Sequence, residues 1–301
     1  MQVTQHRVQN VGNNAPNAIA KQLVTKPQFY HRPNGFTALR DCVLKQTSTS
    51  RGWVTLSELV YRAKRERLGK LDCVLVQPDG TNAIEKVAVF CHGFGAPGDD
   101  LVGIAQELLG ENDSTSPMQL IFPAAPLSLE AQGMPGARAW WWLSIARLIA
   151  AMDSGQFEQI REEVPEGIDE ARASLTETIE IALERVKLNE INLLLGGFSQ
   201  GAMLAMDVAC RGLKEPPAAL CLYSGALICE RYWKASVARL SKCKIVQSHG
   251  RQDPILPFTA GAWLRDLLLD AQCKVDFVDF NGPHTIPMAA INRTADLLTN
   301  L

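Results

Sequence analysis

The sequence lacks any long, uninterrupted apolar run. Its longest uncharged stretch near the centre, from Ile191 to Met206, is broken by Asn192, Ser199 and Gln200 and by three glycines. That stretch is too short and too polar to span a bilayer. The first thirty residues also lack the basic and then apolar pattern of a secretory signal. We therefore expect no stable membrane insertion.

An excess of charge of one sign is also lacking. Lys and Arg together number 30, and Asp and Glu 32, for a net charge of -2, which does not favour nucleic acid as a partner. No C-x-x-C pair occurs, and no Cys/His spacing resembles a zinc site. The eight cysteines lie mostly within apolar runs. This is typical of reduced thiols, so we expect a cytoplasmic protein without a bound metal.

Residues 1 to about 50 differ in composition from the rest of the chain. They are rich in Asn, Gln and Thr and show no sustained periodicity, which is typical of an irregular, flexible extension. Residues 51–301 are expected to form one domain. The capping-box spacing of Thr55 and Glu58 predicts that this domain begins with a helix whose apolar face reaches Ala63.

Short apolar runs alternate with helical patterns through this domain. Such alternation predicts an α/β fold with a mostly parallel central sheet and helices on both faces. The predicted strands are Leu71–Val76, Val87–Cys91, Leu120–Phe122, Leu193–Leu195, Ala218–Tyr223, Lys244–Gln247 and Val275–Phe280. The predicted helices are Leu101–Leu109, Ile168–Lys187, Gly201–Cys210, Ala260–Ala271 and Ala289–Leu298.

One segment, from about residue 139 to 167, interrupts the alternation. It contains Trp140-Trp141-Trp142, a helical pattern at Ile145–Met152 and an acidic connector from Glu158 to Glu166. We interpret it as an insertion that follows the tryptophan cluster and lies over the sheet.

A candidate nucleophile lies in Gly197-Phe198-Ser199-Gln200-Gly201, which fits the pattern G-x-S-x-G. An apolar run precedes it and a helical pattern follows, which is the strand, turn and helix of a nucleophile elbow. Such a turn exposes the serine hydroxyl, and the start of the helix places partial positive charge near a developing oxyanion. Ser199 is therefore the predicted nucleophile. The alternative is a glycine-rich turn with an incidental serine.

A serine nucleophile needs a base, and histidine suits this role near neutral pH. His284 lies in a loop between the last predicted strand and helix, where this kind of fold presents its base, although a surface loop histidine is the alternative. Asp253 is predicted to orient the imidazole, because nucleophile, acid and base then follow in the chain order expected for a fold with this kind of elbow. Asp276 and Asp279 are its rivals, within a strand pattern.

Acyl transfer also needs donors for the oxyanion of the tetrahedral intermediate. The backbone N–H of Gln200 is the first candidate because Gln200 follows the nucleophile. The second is expected from the glycine-rich loop Cys91–Asp100, and Phe94 is the predicted donor there.

Several motifs occur in a characteristic order along the chain from about Leu71 to Leu301. They are His92-Gly93-Phe94-Gly95, Phe122-Pro123-Ala124-Ala125-Pro126, Arg138-Ala139-Trp140-Trp141, Gly197-Phe198-Ser199-Gln200-Gly201-Ala202, His249-Gly250 with Asp253-Pro254, and Gly282-Pro283-His284. In these motifs the chain resembles the phospholipase/carboxylesterase family, which includes the acyl-protein thioesterases. The resemblance implies a compact α/β-hydrolase fold, cleavage of carboxylic esters or thioesters, no metal or organic cofactor, and oxyanion donors at Phe94 and Gln200.

Apolar residues near the predicted site favour a small-molecule acyl ester or thioester as the substrate. Trp141, Trp142 and Leu256 are the predicted pocket residues, and packing roles for at least two of the three tryptophans are the alternative. Two other functions stay open. One is a serine peptidase of the same fold, for which the acidic run Glu158–Glu166 would offer a site for an amine. The other is a non-catalytic, ligand-binding relative.

Overall fold

The computed structural model describes residues 43–45, 60–80, 83–110, 117–144, 151, 154 and 158–301. Its strands, which we number in chain order, are β1 (Val43–Lys45), β2 (Val60–Leu68), β3 (Leu71–Pro78), β4 (Lys86–Cys91), β5 (Met118–Pro123), β6 (Leu127–Ser128), β7 (Arg138–Ala139), β8 (Leu193–Phe198), β9 (Ala219–Tyr223), β10 (Lys244–Gly250) and β11 (Lys274–Phe280).

The α-helices of the same ranges connect or follow these strands. They are α1 (Ile104–Gly110), α2 (Glu158–Glu162), α3 (Ile168–Val186), α4 (Gln200–Asp207), α5 (Glu230–Ser236), α6 (Phe258–Asp270) and α7 (Met288–Thr299). Single-turn helices precede α1 and follow α5, and α4 continues as a π-helical turn at Val208–Gly212. None of these helices is long and apolar enough to cross a bilayer.

A nine-stranded sheet organises the molecule, in the order β1-β2-β3-β5-β4-β8-β9-β10-β11. Pairing is antiparallel from β1 to β5 and parallel from β5 to β11. Every residue of the central strand β8 is buried, as expected for a parallel strand covered on both faces. The predicted mostly parallel sheet is thereby confirmed.

Two apolar clusters cover the two faces of the sheet. One contains buried side chains of α3, α4 and α6, such as Leu175, Leu204 and Leu264. The other contains side chains of α1 and α7, such as Leu108 and Ile291. Because β4, β5 and β8 to β11 run parallel to one another, the loops that follow these strands lie along one end of the sheet. Folds of this kind place their ligands at that end.

The predicted helix after Thr55 is wrong where the structure describes it. Thr55 and Glu58 lie outside the described residues, but Ala63 belongs to strand β2 and pairs with Val76 of β3. The left-handed Gly69 (φ 57°) closes a two-residue hairpin between these strands. Sheet pairing along the whole of β2 outweighs the local capping pattern, which is a weak preference by itself.

The N-terminal extension and the insertion are described only in part. Val43–Lys45, within the segment expected to be irregular, pairs with β2, and the boundary at residue 50 otherwise stays a prediction. Most of the helix predicted at Ile145–Met152 lies outside the described residues. The acidic connector contains the short helix α2, whose Arg161 bonds to Glu230 of α5 at 2.5 Å.

Candidate active site

Ser199 stands at a sharp turn between β8 and α4. Its backbone has φ 54° and ψ −117°, a region that a serine rarely adopts. Its N–H donates to the carbonyl of Tyr223 at 2.8 Å, and its own carbonyl accepts the N–H of Ala202 at 3.0 Å. Strain of this kind persists only where the surroundings hold it, and it is concentrated at functional sites.

The glycines of the G-x-S-x-G pattern let this turn lie directly on the end of β4. A Cβ added to Gly201 would lie 2.1 Å from the carbonyl oxygen of Cys91, and one added to Gly197 would lie 2.5 Å from the backbone of Gly201. Because neither position has room for a side chain, the motif is required by close backbone approach as well as by the turn.

The loop after β4 lies against Ser199. A Cβ on Gly93 would be 3.3 Å from the Cβ of Ser199. The N–H of Gly95 donates to the carbonyl of Arg138 at 2.9 Å, and the N–H of Arg138 donates to the carbonyl of Ala96 at 3.1 Å. These bonds fix the backbone around Phe94, the predicted second oxyanion donor.

The glycines of this loop also have the G-x-G-x-x-G spacing of dinucleotide-binding loops. Here, however, they approach the protein itself. Gly93 faces Ser199, and a Cβ on Gly98 would lie 2.3 Å from the Cβ of Ala124. The spacing therefore reflects close packing of the loop and does not indicate a pyrophosphate site.

His92 holds the base of the same loop. Its Nε2 accepts the N–H of Ala125 at 3.0 Å, and its Nδ1 therefore carries the hydrogen and donates it to the carbonyl of Gly93 at 2.8 Å. Burial lowers the pKa of His92 from 6.5 to about 4. The ring is thus neutral near pH 7 and ties the loop to the end of β5.

The side chain of Gln200 joins the nucleophile elbow to the tryptophan segment. Its Oε1 accepts the N–H of Trp140 at 3.0 Å, and its Nε2 donates to the carbonyl of Trp141 at 2.9 Å. The indole N–H of Trp140 in turn donates to the carbonyl of His92 at 2.9 Å. Sequence reasoning assigned only the backbone of Gln200. A glutamine at the start of an otherwise apolar helical run was the available signal for this second role.

His284 lies beside Asp253 at the ends of β10 and β11. The distance from His284 Nδ1 to Asp253 Oδ2 is 2.6 Å. The other carboxylate oxygen, Oδ1, accepts the N–H groups of Ile255 at 2.8 Å and Leu256 at 2.9 Å. The ring of His284 lies 4.7 Å, between centroids, from the ring of Phe198, the residue before Ser199. The three predicted catalytic side chains thus gather at one edge of the sheet.

Neither rival carboxylate contacts His284 through a described bond. Asp279 pairs with Arg251, and Asp276 lies 3.4 Å from Arg293. Both are exposed residues of the edge strand β11. The geometry therefore favours Asp253 as the partner of the imidazole.

The Asp253 and His284 loops are held to each other by backbone contacts that sequence reasoning missed. A Cβ on Gly250 would lie 2.4 Å from the carbonyl oxygen of Gly282, so only a glycine lets the two loops cross there. The hydroxyl of Ser224 donates to the carbonyl of Thr285 at 2.9 Å. These contacts fix the loop that carries the imidazole.

The three predicted pocket residues differ in exposure. Trp142 is 52% exposed, and its ring meets the edge of Phe94 at 6.2 Å between centroids. Trp141 and Leu256 are buried in the core, as is Trp140. Two of the three tryptophans thus pack in the interior.

Among the described residues, no group of three His, Cys, Asp or Glu side chains is arranged to hold a metal ion. Comparison with protein families matches residues 72–300 to the phospholipase/carboxylesterase family. The chain belongs to this family. It is accordingly a hydrolase of carboxylic esters. The comparison with curated proteins gave no match.

Solved structures of similar fold include an esterase, PE8, which is 24% identical with a TM-score of 0.59 and aligns over 72% of this chain and 93% of its own. Acyl-protein thioesterase 2 of Zea mays is also 24% identical, over 76% and 97% of the two chains, with a TM-score of 0.54. A Bacillus cereus carboxylesterase is 16% identical over 80% and 94%, with a TM-score of 0.53. These likenesses confirm the predicted α/β-hydrolase fold.

Proposed function

We propose that this ester hydrolase works through an acyl-enzyme on Ser199, with His284 as general base and acid and Asp253 as its orienting carboxylate. The 2.6 Å contact between His284 and Asp253 carries the proposal. It ties Nδ1 to a carboxylate, which leaves Nε2 for the proton of the serine. The strained turn at Ser199 and its place beside Gly93 support the same assignment.

In the acylation step, Oγ of Ser199 bonds to the ester carbonyl carbon while Nε2 of His284 takes the hydroxyl proton. Negative charge moves to the carbonyl oxygen, where the N–H groups of Phe94 and Gln200 donate to it. The N–H of Gln200 suits this role because the first N–H groups of a helix have no acceptor within it. The bond to the leaving group then breaks, and His284 gives the proton to the departing alcohol or thiol.

Deacylation repeats these steps with water. The water oxygen attacks the acyl carbon while His284 takes a proton from the water. The tetrahedral intermediate then collapses, the bond to Ser199 breaks, and His284 returns the proton to the serine oxygen. The carboxylic acid leaves, and the enzyme regains its starting state without any cofactor.

The substrate we propose is an acyl ester or thioester with an apolar acyl group. The exposed indole of Trp142, in contact with the ring of Phe94, offers an apolar surface next to the proposed oxyanion loop. In the acidic connector, the exposed side chains of Glu158, Glu162 and Glu166 face solvent, so they offer little support for a peptidase that recognises an amine.

The test is hydrolysis of p-nitrophenyl acetate, butyrate, octanoate and palmitate by the wild type, Ser199→Ala and a control, Ser236→Ala. Ser236 lies on α5, where its hydroxyl donates to the carbonyls of Tyr232 and Trp233 of the same helix. We expect turnover by the wild type and the control and almost none by Ser199→Ala. Equal turnover by Ser199→Ala would reject the proposal. Cleavage of aminoacyl-anilides in preference to every ester would instead indicate a peptidase.

A further inference from the structure

A second histidine, His249, lies against Asp253 and faces the same carboxylate oxygen, Oδ2, that bonds to His284. It belongs to strand β10, and its side chain is completely buried. Its Nε2 lies 2.9 Å from the carbonyl oxygen of Leu256 and 3.5 Å from Oδ2 of Asp253. Because both neighbours are acceptors, Nε2 must carry the hydrogen and donate it to Leu256.

The backbone of Leu256 links this histidine to the carboxylate through its two polar groups. Its carbonyl accepts from His249, and its N–H donates to Oδ1 of Asp253 at 2.9 Å. The neighbouring N–H of Ile255 donates to the same oxygen at 2.8 Å. A turn anchored in this way leaves Oδ2 aimed at His284.

The protein accepts two costs to keep this ring in place. Burial removes the polar imidazole of His249 from water and lowers its pKa, and burying a polar ring is destabilising compared with burying an apolar side chain. A Cβ on Gly261 would lie 2.3 Å from Nδ1, so helix α6 needs a glycine where it packs on the ring. An apolar side chain would avoid the first of these costs, so the histidine is not explained by packing alone.

We propose that His249 is a positioning residue for ester hydrolysis, acting through Leu256 to hold the Asp253 carboxylate against His284. The inference rests on the proposed function, since it assigns a supporting residue to the same triad. His249 itself touches neither the serine nor a substrate in this arrangement. Its loss would let the Asp253 turn move and would weaken the alignment of the imidazole.

The experiment compares wild type, His249→Leu, His249→Gln and a matched control, Gln247→Met. Leucine removes the donor, whereas glutamine can return an N–H near the place of Nε2. Gln247 lies two residues earlier on β10, is equally buried and donates to the carbonyl of Gly261 at 2.7 Å. The control therefore breaks a buried hydrogen bond to α6, the helix that packs on His249, without removing a bond of the Asp253 turn.

Steady-state kinetics on p-nitrophenyl butyrate and thermal unfolding are measured for all four proteins. We expect His249→Leu to lower kcat about tenfold at unchanged KM, as for the loss of one hydrogen bond that supports a charged group. His249→Gln should recover most of that loss, and Gln247→Met should lower only the unfolding temperature. Wild-type kcat in His249→Leu, or an equal loss of kcat in Gln247→Met, would overturn the inference.

A second readout does not depend on turnover. The Nδ1 proton of His284, held between imidazole and carboxylate, should give a proton NMR signal far downfield, and His249→Leu should shift or broaden it. An unchanged signal would overturn the inference even in an active enzyme. A changed signal in a protein that hydrolyses no ester would instead reject the proposed function and leave the positioning role intact.

Discussion

Asp253 has contacts on both of its carboxylate oxygens, which distinguishes it from its two rivals, Asp276 and Asp279. Two N–H groups of its own turn bind Oδ1, and the imidazole binds Oδ2. A carboxylate held this way can select the imidazole tautomer and stabilise its charged form. At the residue scale, the site therefore depends on charge and orientation together.

Replacing Asp253 by asparagine tests that dependence. The amide keeps the size of the side chain but cannot stabilise an imidazolium, so we expect kcat to fall by roughly four orders of magnitude. The control is Asp279→Asn, which removes a partly exposed carboxylate paired with Arg251 on the neighbouring strand. It should change kcat little. Similar losses in both variants, measured on p-nitrophenyl butyrate, would contradict the assignment.

Gly201 offers a test of the backbone at the elbow. A methyl group there would lie 2.1 Å from the carbonyl oxygen of Cys91. Gly201→Ala should therefore displace the elbow, cost about 1 to 3 kcal/mol in the free energy of unfolding and remove most activity. Gly103→Ala is the control, since a Cβ at Gly103 meets no atom of the described residues within 4 Å. Urea unfolding and ester turnover are measured for both variants. A Gly201→Ala variant with full activity would refute the requirement for close backbone approach at the elbow.

At the scale of elements, one buried carboxylate joins three helical segments. Asp207 ends α4 and is fully buried. It accepts from Arg172 of α3 at 2.9 Å, from Arg211 of the following π-helical turn at 2.8 Å, and from the indole of Trp233 of α5 at 2.7 Å. The helix that begins at Ser199 is thus tied to its neighbours at its far end. A buried charge of this kind is stable only while its partners remain.

Asp207→Ala should destabilise the fold by about 3 to 5 kcal/mol, because it leaves two guanidinium groups without their buried acceptor. The control is Asp169→Ala, since Asp169 contacts Arg172 at 2.8 Å and Arg211 at 3.7 Å but is 66% exposed in its side chain. Its removal should cost no more than about 1 kcal/mol. The free energy of unfolding in urea is measured for both variants. Equal losses in Asp207→Ala and Asp169→Ala would contradict a special role for the buried Asp207.

At the scale of the whole molecule, four stretches of chain far apart in sequence meet around the proposed oxyanion hole. The loop at His92, the segment after β5 at Ala125, the strand at Arg138 and the elbow at Gln200 are joined by hydrogen bonds between 2.9 and 3.1 Å. They are also four of the motifs that carried the family resemblance. The family pattern is therefore one connected frame around Ser199, the proposed nucleophile.

The neutral His92 in this frame predicts sensitivity to acid. Its pKa is about 4 in the folded protein against 6.5 when unfolded. Because the unfolded chain binds the proton more readily, stability should be lost as the pH falls from about 6.5 towards 4, by about 3 kcal/mol in total. Burial lowers the pKa of His249 as well, which acts in the same direction.

Urea unfolding at intervals between pH 4 and pH 7.5 measures this dependence in wild type and His92→Gln. Glutamine can accept the N–H of Ala125 but does not titrate, so the variant should lose less stability over the same range. The slope with pH is the readout, and it stays informative if the variant is less stable throughout. Identical slopes in the two proteins would contradict the assignment to His92.

Local pattern was enough to predict much of this protein. Seven apolar runs, from Leu71 to Phe280, became strands of the sheet, because a strand buried on both faces needs a continuous apolar sequence wherever it lies. The turn at Ser199 was equally readable, since its glycines and flanking elements are neighbours in sequence. The position of His284 after the last strand followed from the order of elements in such a fold.

Other features were decided only by contacts between distant residues. The capping pattern at Thr55 predicted a helix continuing to Ala63, but pairing with β3 made β2 a strand there. The burial of Trp141, the bridge made by the Gln200 amide and the place of His249 against Asp253 all depend on residues far away in the chain. Sequence by itself determined most of the strands and helices and the sharp turn at Ser199, through short-range periodicity and turn chemistry. The tertiary structure decided which polar groups meet, because a hydrogen bond or an ion pair is specified by positions that the whole fold creates.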